Sequence, residues 1–342
     1  MTVPSTFQAQ DGRPQTMQAI VIRFPGSPEV LSLQTLPIPE LRPDEVLIRV
    51  MAAGVNRPDL LQRQGLYAPP PDASPLPGLE VAGVVAAVND PSCRWRIGDE
   101  VIALANGGGY AEYCAVPAGQ ILPKPRNLDW SVAAGIAETS FTVWTNLYQR
   151  ARLLPHETLL VHGGASGIGT TAIQMATALG SRVLVTARGL ERARACEALG
   201  AARGIDRNSE DFVELVLSLT DGKGVNVILD MVGGDYTKRN LAALAVEGRL
   251  VQIAHLRGAE VTLDLSLIMR NRLTLTGSTL RPRSREDKAQ IAAELEAKVW
   301  PHLASGKILP QIAQVFKLSE AAAAHRALED TAVFGKIILA IA

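Results

Sequence analysis

The sequence carries no excess of either charge: Lys plus Arg and Asp plus Glu each number 34 among its 342 residues. Proteins that bind nucleic acid draw much of their affinity from surplus positive charge, so no nucleic-acid partner is expected. No uninterrupted apolar run is long enough to cross a bilayer, and no membrane partner is expected. The first residues are polar and hold Pro4, Gly12 and Pro14 where a secretion signal has an apolar core. The expectation is a frayed extension over residues 1–16 and a cytoplasmic protein. Cysteine is scarce and unpatterned. Cys93, Cys114 and Cys196 are an odd, scattered set that suits reduced thiols in a reducing compartment. The five histidines, His156, His162, His255, His302 and His325, show no metal-ligand spacing. No Tyr is followed four residues later by Lys.

What is present is ordinary globular composition, 47% hydrophobic and 20% charged, in a chain long enough for two cores. One stretch organises it. Leu159-Leu160-Val161 is a short apolar run, followed by the glycine-dense turn Gly163-Gly164-Ala165-Ser166-Gly167-Ile168-Gly169. An alanine-rich amphipathic segment then runs to Gly180. That order reads as strand, tight loop and helix. Backbone N–H groups at such a helix start carry partial positive charge and suit a phosphate. The bare pattern is weak, because Ser166 replaces the second glycine of the usual fingerprint and many glycine turns bind nothing. The context has to decide.

Before this loop the chain reads as short strands broken by Gly and Pro, among them 18–22, 45–50, 81–85 and 110–113. Such a pattern suits a compact, barrel-like β unit. After the loop, strand-like segments alternate with helical ones. The strands fall at 181–187, around Ile205, and at 225–230, 249–254 and 273–278. That alternation predicts an α/β fold with a doubly wound parallel sheet. The loop then sits after the first strand and before the first helix, where a dinucleotide site belongs.

Gly78-x-Glu80-x-Ala82-Gly83-x-Val85, Gly98-Asp99-x-Val101 and Tyr110-Ala111-Glu112-Tyr113 together resemble the medium-chain dehydrogenase/reductase superfamily. The stretch Gly54-Val55-Asn56-Arg57-Pro58-Asp59 through Gly65-Leu66-Tyr67, with its proline run, resembles a narrower group. That group is the zeta-crystallin-like NADPH:quinone oxidoreductases, in the branch of the tumour-suppressor-inducible quinone oxidoreductase. The resemblance implies a GroES-like catalytic domain from 17–139 and 287–342, discontinuous because the tail returns to it. It implies a Rossmann NADPH-binding domain from 140–286. Zinc-dependent members of the superfamily carry Cys where this chain has Asn56 and His where it has Leu79, and their four-cysteine lobe is missing here. Neither Asn nor Leu replaces such ligands, so neither a catalytic nor a structural zinc is expected. The glycine loop also resembles that of short-chain dehydrogenases, but the missing Tyr-x-x-x-Lys and the long β-rich first half argue against that family.

The resemblance also implies site residues. Ala165, Ser166, Gly167 and Ile168 form the phosphate cradle, with the Ser166 hydroxyl expected to donate to the pyrophosphate. Thr142 is expected near the nicotinamide, with a simple helix-start hydroxyl as the other reading. The second strand ends in Ala187-Arg188-Gly189, with no carboxylate to hold a ribose 2′-OH. Arg188, Arg192 and Arg207 are expected to bind the 2′-phosphate of NADPH by charge-assisted bonds. Relatives usually carry a hydroxyl residue at Gly189, a Lys at Arg192 and often a Tyr at Arg207, and the other reading of these arginines is a solvated face. Val232, Ile253, Ala254, His255, Ser278 and Leu280 follow successive strands, at the edge where such sheets bind ligands. His255 reads as cleft wall. Arg281 to Arg285 reads as a solvated basic loop, with Ser284 capping the next helix.

The expected reaction is hydride transfer from NADPH to a quinone, without a metal. Asn56 is the candidate donor to the acceptor oxygen. Tyr67 is the candidate to pack the nicotinamide or relay a proton. The plainer readings are a turn brace and a core tyrosine. Reduction of an activated C=C bond in an enal, enone or enoyl thioester is the alternative chemistry. An NADPH-binding RNA-binding or structural protein is the alternative of another class. Relatives imply a homodimer, with a tetramer possible, formed along the edge Leu273-Thr274-Leu275-Thr276.

Overall fold

The computed structural model describes residues 14–330 and 333–341. The extension expected over 1–16 lies largely outside them, and Thr16 already opens the first strand.

Fifteen strands are present among the described residues. The first seven are β1 (Thr16–Ile22), β2 (Leu31–Pro37), β3 (Glu45–Val55), β4 (Glu80–Val88), β5 (Glu100–Leu104), β6 (Tyr113–Pro117) and β7 (Ile121–Pro123). Six more follow: β8 (Thr158–His162), β9 (Arg182–Ala187), β10 (Arg203–Asp206), β11 (Val225–Asp230), β12 (Leu244–Gln252) and β13 (Thr274–Gly277). β14 (Ile312–Lys317) and β15 (Lys336–Ala340) close the chain.

The middle six form one sheet in the order β10-β9-β8-β11-β12-β13, with every pairing parallel. Leu159, Leu160 and Val161 of β8 are wholly buried, as a central parallel strand covered on both faces requires. The strand order reverses between β8 and β9 on one side and β11 on the other. This is the switch point outside which such sheets hold ligands. β12 stops at Gln252, two residues before the expected end, and Ile253 and Ala254 are left at the strand's carboxyl end.

The other large sheet runs β14-β15-β3-β4-β5-β7, with β6 on β3, and is antiparallel except between β14 and β15. The tail therefore joins the sheet begun by the first part of the chain: Ile337 to Ala340 pair with Val55 to Ala52. The two sheets share one core. Ala52, Ile102 and Leu122 from the antiparallel sheet cluster with Phe141, Leu159, Val185 and Leu229, and with Trp300 and Ile338. The helix expected to begin at Ser140 begins at Ala137, runs to Trp144 and continues as a wider π turn over Thr145–Arg150.

Buried histidines serve this packing. His162 bonds Thr186 and Asn240, and His325 bonds Arg63 and Tyr110. The three cysteines are free thiols.

Candidate active site

The glycine loop is built by close contact. Gly163 takes φ +75, which L side chains rarely adopt. A side chain on Gly169 would begin 2.3 Å from the carbonyl oxygen of Gly163. The turn and the first turn of the helix Gly167–Ala178 therefore touch backbone to backbone, and N–H groups face outward at the positive helix end.

Ser166 is the N-cap of that helix. Its hydroxyl accepts from the Gly169 N–H at 3.0 Å and donates to the Gly163 carbonyl at 2.8 Å. This corrects the expected role, because the proton meant for a pyrophosphate is committed inside the loop. Ser166→Ala is therefore expected to cost about 1 kcal/mol of stability, a typical cap value. Chemical denaturation measures it, and an unchanged midpoint would remove the cap role. Ala165 is latched from outside. Its carbonyl accepts from the Gly335 N–H at 2.8 Å, so the segment leading into β15 holds the loop in place.

A buried polar cluster lies beneath the loop, where the two sheets meet. Lys336 Nζ pairs with Glu80 Oε1 at 2.6 Å, and their side chains are 5% and 0% exposed. Glu80 also accepts from Asn56 Nδ2 at 2.9 Å and from the Glu138 backbone N–H at 2.9 Å. Lys336 donates in turn to the Val55 carbonyl and to Asn56 Oδ1. Both ends of the Asn56 amide are thus spoken for. This corrects the expectation that Asn56 donates to an acceptor; it braces the Glu80–Lys336 pair instead. Asp59 accepts from the backbone N–H groups of Asn56 and Gly78, and burial raises its pKa to about 6. Among the described residues no group of three or more His, Cys, Asp or Glu side chains is arranged to hold a metal ion.

Glu138 projects from this cluster beside Thr142, whose hydroxyl donates to Glu138 Oε1 at 3.3 Å. Burial pushes the Glu138 carboxyl up to about 7; Lys336 opposes the rise, while Glu80 and Asp59 add to it. Its ordinary value is 4.5, so between about 4.5 and 7 the folded chain holds a proton the unfolded chain has released. Folding stability from this group is complete below that window and falls as pH rises through 7. Glu138→Gln, neutral at every pH, is expected to flatten this loss and raise Tm at pH 8 by about 2 °C or more. Equal slopes of Tm against pH for both proteins would contradict the raised value.

Tyr67 stands half-buried at the mouth of the cluster. Its hydroxyl pKa is raised by burial, with Arg281 opposing and Glu138 adding. Arg281 Cζ lies 5.6 Å from its ring centroid. Arg281 is only 6% exposed, so the loop read as solvated begins with a buried cation; this corrects the sequence reading at that residue. Ser284 does cap the following helix, accepting from the Asp287 N–H at 3.0 Å.

At the other end of the loop, Arg188 and Arg207 are exposed and Arg192 half-buried, around the ends of β9 and β10. Asp206 stands among them, a carboxylate that the sequence reading missed. Its oxygens accept from the Gly189 and Asn208 N–H groups and the Ser209 hydroxyl, which hold its pKa low. It is thereby turned into its own turn. Val232 is buried after β11, and Ile253 and Ala254 are half-buried after β12. His255 is exposed beside them. Ser278 donates to Asn146 Oδ1 at 2.8 Å, and Leu280 packs on the shared core. Sequence reasoning missed Glu138, Lys336 and Arg281. Only the four-residue step from Glu138 to Thr142 was a local signal.

Residues 42–126 match the family model for the alcohol dehydrogenase GroES-like domain, and residues 167–297 match that for the zinc-binding dehydrogenase. A quinone oxidoreductase of Pseudomonas aeruginosa is 34% identical over 317 residues, 92% of this chain and 96% of its own length. A human quinone oxidoreductase is 30% identical over 94% of this chain and 97% of its own. Among solved structures, Escherichia coli quinone oxidoreductase complexed with NADPH superposes with TM-score 0.81 at 29% identity, over 95% of this chain and 99% of that one. The CurK enoyl reductase superposes with TM-score 0.82 at 25% identity, over 96% and 100%.

Proposed function

Because the chain belongs to the medium-chain dehydrogenase/reductase superfamily, we propose that it is an NADPH-dependent quinone oxidoreductase that works without a metal. The similarity to named quinone oxidoreductases over nearly the whole chain carries this reading. Its support in the structure is the glycine cradle, which admits backbone but no side chain at Gly169.

When bound, NADPH supplies the hydride. The chain supplies the rest. Backbone N–H groups of Ala165, Gly167 and Ile168 would face the pyrophosphate at the helix N-terminus, that of Ser166 being bonded to the Gly163 carbonyl. Arg188, Arg192 and Arg207 hold the 2′-phosphate. Val232, Ile253, Ala254, His255, Ser278 and Leu280 wall the cleft on the sheet side, and Tyr67 closes it from the other. Reduction of a carbonyl acceptor also needs a proton. Glu138, its carboxyl pushed up to about 7 by burial, would hold one, and the Thr142 hydroxyl, 3.3 Å from Glu138 Oε1, would relay it by turning its own proton to the acceptor. In the cluster the cation is the ammonium of Lys336, locked to Glu80. An easily reduced quinone asks for no Lewis acid beyond it.

Arg192→Glu is expected to raise KM for NADPH by about tenfold or more, since a carboxylate repels the 2′-phosphate. KM for NADH should barely move. Steady-state kinetics with both cofactors measures this, and equal effects on the two would sink the assignment.

Similarity to an enoyl reductase favours a second reading, reduction of activated C=C bonds by the same hydride geometry. A panel of quinones and enones decides between them. Among the described residues no strand pairs with the outer edge of β13, where Leu275 is 37% exposed. This edge is the face for a second copy, and light scattering reads the resulting mass.

A further inference from the structure

Among the described residues, Arg281 is the one guanidinium with buried donors that lack hydrogen-bond partners. Its side chain follows β13 and crosses to the helix Arg57–Arg63 of the other half, where Nη1 donates to Gln62 Oε1 at 2.8 Å. The Gln62 amide nitrogen is already bonded to the Pro75 carbonyl at 3.0 Å, so its oxygen is fixed toward Arg281. The Arg281 carbonyl accepts from Lys288 Nζ at 2.8 Å, which anchors the backbone. Held at both ends, the guanidinium leaves Nε and Nη2 buried with no hydrogen-bond partner among the described residues. These two nitrogens form one edge of the group, a fork that matches two adjacent oxygens. No described carboxylate forms an ion pair with Arg281. Asp59 acts on it through space, but both Asp59 oxygens are bonded elsewhere.

A buried cation with two unsatisfied donors is costly unless a ligand completes it. A neutral carbonyl would satisfy one donor and leave the charge. A carboxylate satisfies both donors and the charge. We propose that the Nε–Nη2 edge of Arg281 is a carboxylate subsite of the acceptor pocket, beside Tyr67, and that the preferred acceptors are conjugated carbonyl compounds bearing a carboxylate. This rests on the reading of the cleft as an acceptor site.

The test is calorimetric titration of 2-naphthoate and 2-naphthamide into the protein saturated with NADP+. Wild type is expected to prefer the carboxylate by about tenfold or more. Arg281→Gln should erase that preference, and Arg281→Lys should keep part of it, having the charge but not the fork. In parallel, kcat/KM for 1,4-naphthoquinone-2-carboxylate relative to its methyl ester should fall about tenfold in Arg281→Gln. Equal binding of naphthoate and naphthamide by wild type overturns the proposal, as does a preference that survives in Arg281→Gln. NADPH oxidation by uncharged 1,4-naphthoquinone separates the two claims. Turnover without any carboxylate preference defeats the Arg281 subsite alone. A carboxylate preference without turnover of any quinone keeps the subsite and defeats the quinone reading.

Discussion

Replacing Lys336 by methionine is expected to destabilise the fold by about 3–5 kcal/mol, the range found when one partner of a buried ion pair is removed. Both members of the pair with Glu80 are buried, Glu80 wholly so. Without the ammonium, Glu80 keeps the Asn56 amide and the Glu138 N–H, which are hydrogen bonds but not a countercharge. The damage should spread, because the Lys336 stem lies against the first turn of the loop helix. A side chain on Gly167 would begin 2.5 Å from Lys336 Cδ. The double variant Lys336→Met with Glu80→Gln should recover much of the loss, since neutral groups of similar volume need no countercharge. Urea denaturation of the two variants measures both effects. A single variant within about 1 kcal/mol of wild type, the worth of an exposed pair, would mean that water reaches the cluster.

Gly169→Val is expected to weaken NADPH binding by about a hundredfold or to abolish it, through backbone overlap that no rotamer relieves. Its Cβ would meet the Gly163 oxygen at 2.3 Å and the Gly164 carbonyl carbon at 2.6 Å. All of these are backbone atoms of the cradle, so the loop must open from the helix start and lose the aligned N–H groups. Fluorescence titration with NADPH reads the affinity, and a thermal melt of the same sample tells a folded variant from an unfolded one. A folded Gly169→Val protein with wild-type affinity would place the phosphates elsewhere.

What the sequence disclosed and what it hid follow from distance along the chain. The strand, glycine turn and helix from Leu159 to Gly180 are local, and periodicity with glycine placement suffices to read them. The parallel order of the second sheet follows from the alternation of strands and helices, because a right-handed crossover leaves few choices. The polar cluster had no such signature. Asn56 and Lys336 bond across 280 positions, and Glu80 meets the Glu138 N–H across 58. Nothing near Lys336 in the sequence distinguishes it from a solvated lysine at a strand start. Arg281 misled for a related reason. A run of arginines reads as a wet loop, and only the fold brings Gln62 over to hold the first of them. Ser166 misled in the opposite sense. Its place three residues before Gly169 is also a cap spacing, and the cap took the hydroxyl.

The most direct measurement is NADPH oxidation by an uncharged quinone, run on protein stripped with a chelator and checked for metal content. The expected result is full turnover without metal, with a KM for NADPH about tenfold or more below that for NADH, as a bound 2′-phosphate requires. Turnover that disappears with the chelator and returns with zinc, or no oxidation of NADPH by any quinone, would contradict it.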